Sequence, residues 1–79
     1  MKVKLTKLIG GEYIRTSTVD GEAECLPVVG RPFFMFAESV AFEGGVRIVN
    51  TSDVQNITID DTGSYILETL NSTYKLSIQ

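Results

Sequence analysis

Hydrophobic and polar residues alternate along most of this chain, which is the pattern of half-buried β-strands. Near the start, Val3 and Leu5 alternate with lysines and a threonine, and this predicts a first strand. Residues 12–19 predict a second strand because they are rich in β-branched and aromatic side chains. An Asp20-Gly21 pair follows, typical of a tight turn, so residues 22–26 are predicted as the returning strand of a hairpin.

Two prolines interrupt the alternation in the middle of the chain. Because proline cannot donate to a strand ladder, residues 27–32 are predicted as a loop. Beyond it the pattern predicts strands at residues 33–37, 46–49 and 54–59, a polar turn at 60–63, and a hairpin or one long bent strand over 64–78. Residues 38–45 are the one stretch that could form a short helical turn.

Five to seven short strands with at most one helical turn predict an all-β fold. At 79 residues, with 43% hydrophobic and 22% charged positions, the chain fits one small antiparallel barrel domain over residues 1–79. No apolar stretch is long enough to span a bilayer, so no membrane association is expected. Cys25, the single cysteine, excludes an internal disulfide and favours a cytoplasmic location; we interpret it as a buried structural residue.

The candidate chemistry is limited by the residue types present. The chain has no histidine, which excludes Ser-His-Asp and Cys-His catalysis, and one cysteine leaves no ordinary zinc ligand set. No phosphate-binding glycine motif occurs. The adjacent carboxylates Asp60 and Asp61 lie in a predicted turn, where hydrogen bonding to the backbone is the usual role. We therefore predict no enzymatic activity, no cofactor and no metal.

Charge bears on the kind of partner. The net charge is −3, which argues against nucleic acid as the partner. Four of the seven basic residues, Lys2, Lys4, Lys7 and Arg15, nevertheless lie in the first fifteen positions. A small-barrel nucleic-acid binder that uses this basic N-terminal edge therefore stays open as an alternative function.

The apolar run at residues 33–36 is the main candidate for an interaction site. Successive side chains of a strand point to opposite faces, so Phe33 and Met35 face one way and Phe34 and Phe36 the other. One pair fills the barrel, and the sequence leaves open which. Our hypothesis is that Phe34, Phe36 and Phe42 form a protein interface; the alternative is that the segment around Phe42 folds over the outer pair.

Four further residues are candidates for surface recognition. Tyr13 beside Arg15 is the one aromatic–cation neighbourhood typical of a recognition element. Arg31 and Arg47 are added as cations that flank the apolar strands.

Three segments of the sequence carry a resemblance. They are LPVVGRPF at residues 26–33, RIVNTSDV at 47–54 and TLNSTYKL at 69–76. Together they resemble small uncharacterised proteins encoded by bacteriophages and their bacterial hosts, which look like Src-homology-3-type barrels. The resemblance implies that barrel fold and an accessory role in the cytoplasm of a bacterial host. No catalytic residues come with it.

The function predicted from all of this is a non-enzymatic protein-binding module that modulates or inhibits a host factor. Its partner is expected to be a host protein or a second copy of the chain. The alternatives are the nucleic-acid binder above and a homo-oligomeric protein with a structural, assembly or ligand-sequestering role.

Overall fold

Six β-strands make up the fold, and the described residues contain no helix. The computed structural model describes residues 1–9, 12–38 and 45–79, with side chains for residues 1–8, 18–37 and 45–79. The strands are β1 (Lys2–Ile9), β2 (Glu12–Glu22), β3 (Pro32–Glu38), β4 (Val46–Ile59), β5 (Tyr65–Thr69) and β6 (Thr73–Ile78).

Each strand pairs antiparallel with the next, and β6 pairs with β1, so the sheet closes into a barrel. The prediction of a small antiparallel barrel is confirmed. Closure gives every strand a neighbour on both sides, which removes the open edges that make sheets aggregate. Among the described residues the shortest seam lies between β2 and β3, where the pairs are Gly21 with Ala37 and Glu22 with Phe36.

The core follows from strand alternation. Every second side chain of a barrel strand points inward, and most of the buried positions described here are apolar. The buried cluster is Val3, Leu5, Ala23, Phe33, Met35, Val54, Leu67 and Leu76. Each of the strands β1, β3, β4, β5 and β6 contributes to it, so one continuous core holds the barrel together.

The predicted turn at Asp20-Gly21 is wrong, because β2 continues through both residues to Glu22. Glycine is needed there for a long-range reason. A Cβ atom at Gly21 would overlap the backbone carbonyl oxygen of Phe36 and come within 2.8 Å of the Met35 Cε. The residue therefore permits the close approach of β2 and β3, and the strand predicted over residues 22–26 is mostly loop.

The two strands predicted at residues 46–49 and 54–59 are one strand. Its first half pairs with β3 and its second half with β5. Thr51, between the two halves, has hydrogen-bond partners on both sides: the backbone N–H of Phe33 on β3 donates to its Oγ1 at 3.0 Å, and its hydroxyl donates to the Ser52 carbonyl at 2.7 Å. Thr51 is buried, so these hydrogen bonds allow a polar side chain at a buried position of β4.

Residues 64–78 form a hairpin, which is one of the two alternatives that the sequence left open for this segment. Strands β5 and β6 pair with each other, and the turn between them is closed by the Thr69 N–H donating to the Ser72 carbonyl at 2.8 Å. The helical turn predicted over residues 38–45 lies largely outside the described residues.

The predicted turn at residues 60–63 is confirmed and is organised by one carboxylate. Asp60 Oδ1 accepts hydrogen bonds from the Thr62 hydroxyl at 2.7 Å and from the backbone N–H groups of Thr62 and Ser64 at 2.9 and 3.0 Å. Lys75 Nζ lies 3.5 Å from Oδ2. The hydroxyl hydrogen bond, assisted by the backbone donors and Lys75 and partly opposed by desolvation, lowers the Asp60 pKa from 3.8 to about 2.

A pH dependence of stability follows from this carboxylate. Because the folded-state pKa is lowered, the charge stabilises the fold above about pH 4, and that contribution is lost as the pH falls towards 2. Asp60→Asn, which mimics the neutral acid, should lower the melting temperature by a few degrees near neutral pH and leave it nearly unchanged at about pH 2. Thermal denaturation across this range measures the effect. The exposed neighbour gives the control Asp61→Asn, and an Asp60→Asn effect that is the same at every pH would contradict the assignment.

Candidate protein-interaction surface

Exposed apolar side chains lie on the outer surface of β3 and at the start of β4. Phe33 and Met35 fill the core, with 4% and 0% of their surface exposed, so the other pair of the aromatic run points outward. Neighbouring β4 residues with the same orientation continue the apolar surface. We call this surface the outer β3–β4 face, and its members are Phe34, Phe36, Val46 and Ile48.

The strand ladder brings these side chains together. Phe36 lies directly opposite Ile48, and the next position of the same face along β3 is Phe34. The rings of Phe34 and Phe36 contact edge to face, with centroids 6.3 Å apart and planes at 88°. This geometry is favourable for aromatic pairs and orders both rings on the surface.

Exposure distinguishes this face from the core. Phe34 is 51% exposed, Ile48 64% and Val46 71%, while Phe36 is half-buried. Exposed single aliphatic residues occur elsewhere on the barrel, and scattered ones need no explanation. A contiguous group with two phenylalanines is different, because such patches mark interaction sites.

A cavity of about 180 Å³ adjoins the Phe34 end of the face. Its apolar lining comes from Phe34 and from the loop after β2, through Leu26 and Val28. Glu24 and Arg31 also line it and are exposed, so one acidic and one basic side chain flank an apolar hollow.

Cys25 lies in the same cavity wall and is exposed, so its interpretation as a buried cysteine is wrong. That interpretation depended on a strand over residues 22–26, whose alternation would have set the orientation of each side chain. Because β2 ends at Glu22, residue 25 sits in the loop instead.

The four predicted recognition residues do not form one site among the described residues. Arg31 belongs to the loop beside the cavity, while Arg47 pairs with the buried Ala37 and so departs from β4 on the face opposite to Ile48. The backbone of Tyr13 pairs with Leu8. The side chains of Tyr13 and Arg15, like the whole of Phe42, lie outside the described part of the chain.

The basic N-terminal edge is partly neutralised. Lys4 Nζ lies 4.0 Å from Asp20 Oδ1 on the neighbouring strand. Lys2 is exposed beside Glu22, its partner in the ladder. With acidic residues on the adjacent strand, β1 does not present an unbroken basic stripe of the kind that tracks phosphates.

A second hollow, of about 490 Å³, opens at the end of the barrel. Its walls include Phe36, Val46 and Gly21, together with charged residues of both signs such as Lys2 and Glu22. Because its charges are mixed, it favours neither an anionic nor a cationic ligand.

No family model, curated protein or solved structure matches this chain. Among the residues that the structure describes, no group of three acidic or cysteine side chains could hold a metal ion, and no helix could cross a membrane. The fold is therefore described from its own geometry, as a six-stranded antiparallel barrel. The candidate site is identified from its exposed apolar residues.

Part of this surface escaped the sequence analysis. The sequence predicts a strand that includes Val46 and Ile48 but does not say which way these side chains point. Their alternation with Arg47 and Val49 is a signal that they share one face. The contribution of Leu26 and Val28 had no sequence signal, because the cavity forms only when the loop packs beside β3.

Proposed function

We propose that this chain is a non-enzymatic protein-binding module whose binding site is the outer β3–β4 face. The observation that carries the proposal is the exposure of Phe34, Val46 and Ile48 beside Phe36 on one continuous surface. Water-exposed aromatic and aliphatic groups gain free energy when a partner covers them, and aromatic residues are enriched in protein interfaces. The absence of histidine supports a binding rather than a catalytic role.

The resemblance of three segments to phage-encoded proteins gives this proposal a setting. We propose a Src-homology-3-type barrel that acts in a bacterial cytoplasm and modulates a host protein or its own assembly state. A single cysteine on the exposed loop is compatible with a reducing compartment.

The test compares two isoleucines of the same strand. Ile48 and Ile59 are equally exposed, at 64% and 65%, but lie at opposite ends of β4, and only Ile48 belongs to the outer β3–β4 face. Losing the burial of one such side chain costs about 1–2 kcal/mol of binding free energy, which is about a tenfold loss of affinity. We expect Ile48→Ser to weaken partner binding by about tenfold and Ile59→Ser to leave it unchanged.

Binding is measured with the purified, immobilised chain, by retention of proteins from a bacterial lysate and of the free chain itself. Thermal denaturation of both variants shows that each is folded. Equal retention on the wild type and both variants, or equal losses from both variants, would overturn the proposal.

A further inference from the structure

We propose that the start of β3, beside the cavity of about 180 Å³, binds an extended peptide segment of a partner protein by adding it to the sheet as a strand. The inference rests on the proposed protein-binding function and names the form in which a partner binds next to the outer β3–β4 face. It follows from where the β2–β3 seam ends, from the direction of the Phe34 main-chain groups and from the position of the cavity.

The β2–β3 seam stops while β3 continues. Its last pair towards the start of β3 is Glu22 with Phe36, although β3 begins at Pro32 and pairs with β4 from there onwards. Strand β2 ends at Glu22, and a bend follows. Residues 23–35 are all described, so this end of the seam is a feature of the fold. Closure therefore leaves a short stretch of the β3 edge open on the β2 side.

The main-chain groups of Phe34 point to this open side. Main-chain groups of successive strand residues alternate between the two edges of the strand. The Phe36 carbonyl oxygen faces Gly21 on β2, while the N–H of Phe33 donates to Thr51 on β4. Phe34 is two residues from Phe36, so its N–H and C=O also point to the β2 side, where no backbone partner for them occurs among the described residues. One donor and one acceptor are thus available to an added strand.

The cavity lies alongside this edge. One wall is the loop after β2, at residues 24–28, and the other is residues 31–34. The Phe33 side chain points into the core and the Phe34 side chain points outward, yet both residues line the cavity. A cavity lined from both faces of one strand lies beside the edge of the strand rather than over either face. It therefore lies where β2 would run if its pairing with β3 continued.

The cavity walls favour an aliphatic residue in the peptide. Cross-strand neighbours share one face of a sheet, so the peptide residue opposite Phe34 would lay its side chain against the Phe34 ring. Leu26 and Val28 are exposed and line the cavity, so they would contact the same side chain. An apolar cavity of about 150 Å³ takes up benzene, so about 180 Å³ accommodates a leucine side chain. Because Glu24 and Arg31 both line the cavity, recognition falls to the peptide main chain and this one apolar residue.

Amide hydrogen exchange of the chain alone tests whether the edge is open. The Phe34 amide should exchange at least about tenfold faster than the amides of Met35 and Phe36, which pair with β4 and β2. Transfer of ¹⁵N-labelled chain into D₂O measures the three rates in one sample. A Phe34 amide that exchanges as slowly as the other two would overturn the proposal.

The probe for binding is the peptide acetyl-Lys-Thr-Val-Leu-Val-Thr-Lys-amide, added to ¹⁵N-labelled chain at up to about 1 mM. It combines high β-propensity with a central leucine, and its lysines keep it soluble. We expect chemical-shift changes at Phe34, Leu26 and Val28, and slower exchange of the Phe34 amide. The same peptide with N-methyl groups on its central residues keeps every side chain and charge but loses its main-chain donors, so it should not bind.

Two variants separate the β3 main chain from the Phe34 ring. Phe34→Ala and Phe34→Pro both remove the ring, but only proline also removes the N–H. We expect Phe34→Pro to bind the peptide about tenfold more weakly than Phe34→Ala, because a hydrogen bond to a peptide carbonyl is lost. Proline is tolerated at strand edges, and thermal denaturation shows whether each variant is folded. If Phe34→Pro does not fold, the two peptides make the same comparison on the wild-type chain.

Equal binding of the two peptides, or equal binding of the peptide by folded Phe34→Ala and Phe34→Pro, would overturn strand addition. Protection of the Phe34 amide that grows with chain concentration alone would assign the edge to a second copy instead. A chain that binds neither peptide but retains a bacterial protein through Ile48 would overturn this inference and leave the proposed function standing. A chain that does neither would overturn both.

Discussion

Replacing Gly21 by alanine should lower the free energy of unfolding by about 3 kcal/mol or more, the largest effect we expect from adding a single methyl group. The new Cβ would overlap the Phe36 carbonyl oxygen, a backbone atom that can move only if β3 moves with it. The described β2–β3 seam contains two residue pairs, and Gly21 belongs to one of them. The substitution therefore opens the barrel at the seam with the fewest described pairs.

A 79-residue domain has a total stability of about 4–12 kcal/mol, so a loss of this size would leave a large unfolded fraction. Urea denaturation followed by circular dichroism measures it. Gly63→Ala is the matched control, because Gly63 has a φ of 84° but open space around its Cβ position. Its cost should be about 1 kcal/mol, from backbone strain alone. A Gly21→Ala variant no less stable than Gly63→Ala would contradict the close approach of the two strands.

Replacing Met35 by alanine should cost about 2–5 kcal/mol of unfolding free energy. Met35 is fully buried and stands first by volume among the described side chains that are fully buried, within the cluster that includes Leu67 and Leu76. Its removal leaves a void that surrounding strands of a closed barrel can fill only in part, because their spacing is fixed by hydrogen bonds to both neighbours.

The neighbouring Phe34→Ala provides the comparison on the same strand. Phe34 is 51% exposed on the outer face, so its truncation should cost about 1 kcal/mol or less of stability, even though more atoms are removed. Urea denaturation of both variants checks the contrast. Equal losses would mean that β3 buries both of its faces within one copy of the chain.

The alternation of apolar and polar residues was sufficient to predict most of the barrel. It placed a strand at β1 because Val3 and Leu5 form an inward row, and the apolar run at residues 33–37 indicated β3. The turn at residues 60–63 was equally accessible, since Asp60 acts on groups two and four residues away. The hydrogen bonds of a turn and the buried face of a strand each depend on residues only a few positions apart, so both can be predicted from the local sequence.

The wrong predictions concern residues whose role depends on contacts with a distant part of the chain, or on a strand that does not form. Asp20-Gly21 has the composition of a turn, but Gly21 is required by the approach of Phe36, which is fifteen positions away. The polar residues around Thr51 resemble a break between strands, although the Phe33 N–H satisfies the buried hydroxyl. Cys25 was misplaced because its predicted strand does not form.

The candidate site likewise has one part that the local sequence predicts and one part that depends on the folded structure. The doubled apolar pattern predicted that one pair of β3 side chains faces outward, but the choice between Phe34 with Phe36 and Phe33 with Met35 required the closed barrel. The cavity beside Phe34 was not predictable, since the loop that lines it meets β3 only in the folded chain.

The most direct test of the central claim is a map of amide chemical shifts as the binding site fills. ¹⁵N-labelled chain is recorded at increasing total concentration, or with any protein that it retains. The account predicts shift changes concentrated in β3, in the first half of β4 around Ile48, and in the loop around Leu26 and Val28. Changes confined to the lysine-bearing strand β1, or to β5 and β6, would contradict it.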